Sequence, residues 1–371
     1  MDRVERRIGR WPRIAAALLL GLAAAIWTLV PDGRAARVEQ HADCHDPAAA
    51  PPIETLTDGR KAMRLRVLLW NVEGLPWPIR SGREAVLEQI ADWIAQRRAA
   101  GMGPDILILH KAFTPAASRI ASTTGFDSVL PGPALDHDRH LPAAPSPPGY
   151  SGAANWRKGE GLGKWLDSGL YIATDLPVIA RFTAPFAAGS CAGFDCLANK
   201  GGQIATLAIP GAPDALHIFN THRNAREPSG VPAARAETAH ILQTEENDLM
   251  LRASGVMSRA MIAAGDFNNY RAGDQRGYFA RDTGFRLAGK GQGMSARAAP
   301  MTDAQAWSDA YDLLGYRSSD ALRVEPLATA TLFDGKNGPR LSDHDAQYVI
   351  FRISWSADTK PAPIPVKSCS A

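Results

Sequence analysis

The stretch Met261–Asn269, MIAAGDFNN, limits what this chain can fold into more than any other. A short apolar run closed by Gly265 reads as a buried strand ending at a sheet edge. Side chains alternate along a strand, so Asp266 and Asn268, two residues apart, reach one site. Phosphate ester hydrolysis needs such a pair: a carboxylate to orient water or metal, and an amide to donate to a phosphate oxygen. A Gly-Asp turn after any core strand has the same look, so the surroundings decide what the stretch means.

Those surroundings alternate between strands and helices. Leu65–Trp70 reads as a strand ending on Asn71 and the turn VEGLPWP. Arg83–Ala100 has helical spacing, with Val86, Leu87, Ile90, Trp93 and Ile94 on one stripe. A second strand, Pro104–Leu109, closes on His110 and Lys111. Pro131–Trp165 reads as a long loop, with eight prolines and glycines between Pro131 and Gly149. Ser168–Ala173, Lys200–Ile209 and Leu216–Asn220 read as strands, the last running into His222. Ala233–Arg252 reads as a long helix, and Asp345–Ile353 as a final strand after Ser342-Asp343-His344. The order predicts an α/β (α+β) chain with two sheets. Neither GxGxxG nor GxxxxGK[ST] occurs, so a nucleotide-binding fold has no support.

The ends carry different information. Ile14–Val30 is 17 residues without a charge, preceded by five arginines, and predicts a signal anchor or signal peptide over residues 1–30. Residues 31–63 read as a tether, residues 64–354 as the globular domain and residues 355–371 as a polar tail. The five arginines against Asp2 and Glu5 account for the whole net charge of +3. A neutral body has no footprint for nucleic acid, which weighs against a nuclease. The four cysteines fit an oxidising compartment, with the globular part secreted or membrane-anchored outside the cytoplasm, periplasmic in a bacterium. Of three pairings, Cys191–Cys196 with Cys44–Cys369 is favoured by closeness in sequence, free thiols being the alternative.

The polar groups that end these strands now form a series: WN at Asn71, SGL, NTH at His222, GDFN at Asp266 and Asn268, SDH at Asp343 and His344. The series resembles the endonuclease/exonuclease/phosphatase superfamily, with its deoxyribonuclease-I-like fold. The resemblance covers about residues 64–354. It implies a four-layer αββα sandwich, two packed mixed sheets flanked by helices. NVEGLPWP and Asp195–Gly201, with Asp195 and Lys200 five residues apart, look like the sphingomyelinase branch, where such a pair faces the phosphate.

The implied activity is a metal-dependent phosphodiesterase, sphingomyelinase-like, hydrolysing a phospholipid head group. The implied ion is Mg²⁺ or another divalent cation, acting as a Lewis acid. Asn71 would contribute to the metal and phosphate site, and His222 would bind phosphate or protonate the leaving oxygen. Asp266 and Asn268 would position water and phosphate. His344 would be a general base or phosphate ligand, with Asp343 at a second metal position. Two departures stand out. The second strand ends in His110-Lys111 where the family has Gln-Glu, the glutamate being its central metal ligand. The family's Arg-Ile-Asp-Tyr is absent, leaving Asp334 as the nearest candidate to orient the histidine. Glu73 is a candidate for the missing carboxylate, although a solvent-facing loop position is the simpler expectation. The alternatives are a non-catalytic binder of a phosphorylated lipid, with Lys111 replacing the metal, a nuclease, and an inositol-phosphate phosphatase.

Overall fold

The computed structural model describes residues 39–40, 44, 46, 49–268, 284–288, 312–336, 338–367 and 369. The first sheet contains β1 (Ile53–Thr55), β2 (Lys61–Gly74), β3 (Ile106–Ala112), β4 (Ser128–Pro131) and β5 (Tyr171–Thr174). The second contains β6 (Val178–Pro185), β7 (Gly201–Leu207), β8 (Leu216–His222), β9 (Met261–Asp266), β10 (Arg286–Leu287) and β11 (Asp312–Arg317). β12 (Arg323–Leu332) and β13 (Ala346–Trp355) return to the first sheet. Three α-helices are described: α1 (Glu84–Ala99), α2 (Pro115–Thr123) and α3 (Ala233–Ala253).

The first sheet runs β12-β13-β2-β3-β5-β4, with β1 on β2, and the second runs β10-β11-β9-β8-β7-β6. Parallel pairs β2–β3 and β8–β9 sit within otherwise antiparallel sheets. Both central strands are buried on two faces, and their alternation defines the layers. On β2, Met63, Leu65, Val67 and Leu69 enter the core between the sheets, where they meet Ile218, Ile262 and Leu314. Leu68, Trp70 and Val72 enter the core under α1 and α2, against Leu87, Ile90, Ile94 and Ile120. The outer face of the second sheet packs Phe219, Met261 and Ala263 against Met250 and Leu251 of α3. Each fully buried aliphatic side chain contributes about 1.5–3 kcal/mol of transfer free energy, so the alternation is energetically enforced. The result is the predicted αββα sandwich.

Several boundaries differ from the sequence reading. The expected tether is partly sheet: β1 pairs with the start of β2, and Gln40 bridges Val129. The tail also comes back, since the Ala362 amide donates to the Ala212 carbonyl at 2.8 Å and Cys369 bonds Cys44. Cys191–Cys196 is the second disulfide. β6, β11 and β12 were not anticipated, nor was α2, whose signal is Thr114 capping Ala117 with Pro115 in the first turn. The apolar run Ile14–Val30 lies outside the described residues, and among those described no helix is long and apolar enough to cross a membrane.

Candidate active site

Strand parity builds the site. Asn71, Asn220, His222, Asp266 and Asp312 share the parity of Leu69, Ile218, Ala264 and Leu314, residues of the core between the sheets. The apolar pattern ends and polar residues continue it at the same end of β2, β8, β9 and β11. Gly265 is required there: a Cβ would lie 2.7 Å from the Phe267 ring and 2.9 Å from the Thr221 carbonyl oxygen. Asn71 Nδ2 crosses between the sheets to donate to Asp266 Oδ2 at 2.9 Å. The Asn268 amide N–H donates to Asp266 Oδ1 at 3.2 Å, and its side-chain Nδ2 to the Arg223 carbonyl at 3.0 Å.

His344 is held by Asp312, whose Oδ2 accepts from its Nδ1. Asp312 is the orienting carboxylate, which corrects the assignment to Asp334. Asp334 sits instead in a turn with Lys336 and Arg340. The signal in the sequence was an acidic residue opening the apolar run Asp312–Leu314, but without the family tetrapeptide it did not stand out. His110 and Asn220 were also missed. His110 Nε2 donates to Asn220 Oδ1 at 2.6 Å, and its Nδ1 lies 3.4 Å from Asp312 Oδ1. Ser342 Oγ donates to the Asn71 carbonyl at 2.5 Å, fixing the loop that carries His344.

The two histidines are tuned in opposite directions. Burial works against a charged His344, but the Asp312 carboxylate, helped by Asp266, raises it to about 9 despite Lys111. Burial, with Lys200, His110 and Lys111 nearby adding to it, holds His222 well below its ordinary value. At neutral pH His344 therefore carries a proton to give, and His222 is neutral. Asp312 is held low: burial opposes its ionisation, and His344 and His110 outweigh that.

Lys200 and Asp195 meet as the resemblance implies, with Nζ 3.0 Å from Asp195 Oδ1. Lys200 Nζ also donates to His222 Nε2 at 3.1 Å and to the Arg223 carbonyl at 3.3 Å. On the other sheet, parity would send Lys111 towards the helices with Leu107 and Leu109. Its φ of 51°, rare for a residue with a side chain, turns it into the site. There Nζ lies 3.2 Å from Asp343 Oδ2 and 3.3 Å from His344 Nε2. Glu73 is buried rather than solvent-facing, and its carboxylate pairs with Arg80 at 2.5 Å and Arg83 at 3.8 Å.

Among the described residues, Asp266, Asp312 and His344 form the one group of metal-binding type, their ligand atoms within 4.8 Å of one another. The group fits a resident Mg²⁺ poorly. Magnesium needs a near-octahedral set, usually with several waters, at about 2.0–2.1 Å. Both Asp312 oxygens face ring nitrogens, and both Asp266 oxygens already accept hydrogen bonds. Asn71 Oδ1 accepts from the Glu73 amide, and Asp343 pairs with Lys111 rather than waiting at a second metal position. A dication about 4 Å from the Lys111 ammonium would be opposed by on the order of 8 kcal/mol at an effective dielectric near 20.

No protein-family model and no curated protein matches this sequence. Solved structures do. SmcL is 15% identical, with 77% of this chain and 98% of that one covered and a TM-score of 0.52. Sphingomyelinase C from Streptomyces griseocarneus is 18% identical, with 77% and 99% covered and a TM-score of 0.50. A beta toxin from Staphylococcus aureus, in a structure with bound magnesium ions, is 16% identical, with 79% and 100% covered and a TM-score of 0.51. At such identities the likeness is one of fold, the deoxyribonuclease-I-like αββα sandwich.

Proposed function

We propose that this protein is a phosphoric diester hydrolase that cuts the head-group phosphodiester of a phospholipid. The observation that carries the reading is His344, held on Asp312 with its Nε2 4.0 Å from Asp266 Oδ2, at the shared end of both sheets. A phosphate lying across the two, with its attacked and leaving oxygens each facing one of them, has a carboxylate to take a proton and an imidazolium to give one. Asp266 removes a proton from water as the water oxygen bonds to phosphorus. The ester P–O bond opposite breaks, and its oxygen takes the proton from His344 Nε2. Asp266 and His344 then exchange the proton and both regain their starting states. Asn71 and Asn268 keep Asp266 oriented, and neutral His222 receives an N–H from Lys200. These charge states exchange the histidine roles that the resemblance implies.

A lipid substrate is supported beside the site. Trp156, Trp165 and Phe194 are exposed. Their loops are linked: Lys158 Nζ lies 5.4 Å from the Phe194 ring centroid, and the Trp165 amide donates to the Leu197 carbonyl at 2.7 Å. Arg157 lies over the Trp156 ring at 5.2 Å, so aromatic and cationic groups mix as they do where proteins meet a lipid–water boundary. Asp195 belongs to the same loop as Phe194. A sphingomyelinase C shares the fold, which makes sphingomyelin the first substrate to try. The neutral body argues against DNA. The two disulfides and the basic-flanked apolar run favour a membrane-held or secreted protein outside the cytoplasm.

The test is release of phosphorylated head group from sphingomyelin and phosphatidylcholine vesicles, with duplex DNA and a chromogenic phosphodiester alongside. His344→Gln should lower turnover by about 100-fold or more while circular dichroism stays that of the folded protein, with some loss of melting temperature from the broken pair with Asp312. Cleavage of DNA but not of vesicles would overturn the substrate class. A second reading, a non-catalytic binder of the same head group, is favoured by the protein donors that each Asp266 oxygen already has. Vesicle binding without turnover of any diester would select it.

A further inference from the structure

We propose that the Lys111 ammonium is itself the cation that receives the phosphate, so that the site binds a phosphate group with no divalent metal. The proposal rests on the phosphodiester reading for its substrate, but not for its binding test.

Three observations carry it. Lys111 reaches the site only because the end of β3 adopts φ 51°, against the alternation that would bury it under the helices. Its Nζ then stands 3.3 Å from Nε2 of His344, a residue of the metal-type group and the ring nitrogen that Asp312 leaves open. A metal ion bound through that nitrogen would lie against the ammonium, and a dication there is opposed about twice as strongly as a single charge. Each oxygen of Asp266 already accepts from a protein donor, and both oxygens of Asp312 face ring nitrogens.

The geometry also leaves Lys111 a task. An ammonium has three N–H donors. Those of Lys200 are matched by Asp195, His222 and the Arg223 carbonyl, and that side chain is only 6% exposed. Lys111 has one acceptor, Asp343 Oδ2; the protonated His344 Nε2 lies 3.3 Å away but cannot accept from it, and the lysine side chain is 16% exposed. Asp343 is 39% exposed and can give way to water. The ammonium therefore keeps N–H groups for an incoming oxygen, on the same side as His344, which donates the proton to the leaving group. A phosphate oxygen held there accepts from Lys111 while Asp266 faces the attacking water. The bonds that form and break are those of the hydrolysis above. The ammonium offsets the phosphate charge without coordinating it and stays protonated throughout.

The experiment uses the full chain after exhaustive chelation. Calorimetry with inorganic phosphate should show binding without added metal, and binding of Mg²⁺ alone should be undetectable below millimolar concentration. Lys111→Met should weaken phosphate at least tenfold, while the exposed control Lys360→Met leaves it unchanged. Lys111→Glu should lose phosphate and gain Mg²⁺ binding. Turnover of the chromogenic diester should be the same within twofold in chelator and in Mg²⁺. Micromolar Mg²⁺ binding by the unaltered protein, turnover abolished by chelator and restored by Mg²⁺, or unchanged phosphate affinity in Lys111→Met would each overturn the proposal. Absence of turnover under every condition would defeat the hydrolase reading alone, because phosphate binding still decides the role of Lys111. Circular dichroism of each variant separates loss of binding from loss of fold.

Discussion

Two lysines approach the same site from different sheets, and they are held in different ways. Lys200, at the start of the second sheet's β7, is buried with all three donors matched. Lys111, at the end of the first sheet's β3, is partly open to solvent, sits on a left-handed backbone, and shares one of its two contacts with the histidine that gives the proton. The difference separates a cation that builds the wall of a site from one that can meet a ligand. A buried ammonium with a full set of partners cannot turn to a phosphate without breaking what holds it. Closeness to the site is therefore a weaker guide to role than the count of uncommitted donors.

The largest effect that could break this comparison is on stability. Lys200→Met leaves Asp195 without its ion partner and His222 Nε2 without its donor, and should cost on the order of 3 kcal/mol. Lys111→Met, at a more open site, should cost under about 1 kcal/mol. Urea unfolding of both variants checks this, and equal losses would erase the distinction.

Next in size is the loop that carries Asp195. Cys191 and Cys196 are 5 residues apart, so closing so short a loop stabilises by about 2 kcal/mol at most on chain-entropy grounds. The double variant Cys191→Ala/Cys196→Ala should lose no more than that in urea, while turnover falls several-fold as Asp195 loosens its hold on Lys200. A large stability loss with unchanged turnover would show that the bridge serves the fold and not the site.

The smallest effect sharpens the comparison most. The raised value of His344 means its imidazolium persists at neutral pH and is lost as pH rises through about 9. Turnover should therefore fall above pH 9, roughly tenfold per unit if proton donation limits the rate. The stability from the His344–Asp312 pair is present in full below about 6.5, the ordinary histidine value, and fades as pH rises from there through about 9. Lys111 opposes the charge on His344, so Lys111→Met should move the alkaline limb upward. Lys200 acts on His222 instead, so Lys200→Met should leave that limb in place and raise His222. pH–rate profiles with histidine NMR titrations measure both, and identical shifts in the two variants would contradict the assignment.

What the sequence determined by itself was the series of strand ends. Apolar alternation running into Asn71, His222 and Asp266 places those side chains by parity, because a strand's period leaves no freedom about which face a residue takes. The two disulfides followed from the number and placement of the cysteines, whereas the His344 motif, the pairing of Asp195 with Lys200 and the four-layer sandwich were legible through the resemblance that the ordered motifs carry. Other features depended on groups far apart in the chain. Asp312 becomes the partner of His344 only when β11 pairs with β9 and brings Asp312 opposite Asp266. Glu73 was open to a catalytic reading until Arg80 and Arg83 folded over it. Lys111 is the sharpest case. Its residue type was plain in the sequence, but alternation alone points it away from the site, and only the left-handed turn at the end of β3 reverses that direction. A single backbone torsion, fixed by surroundings no local pattern encodes, decides which way the charge faces.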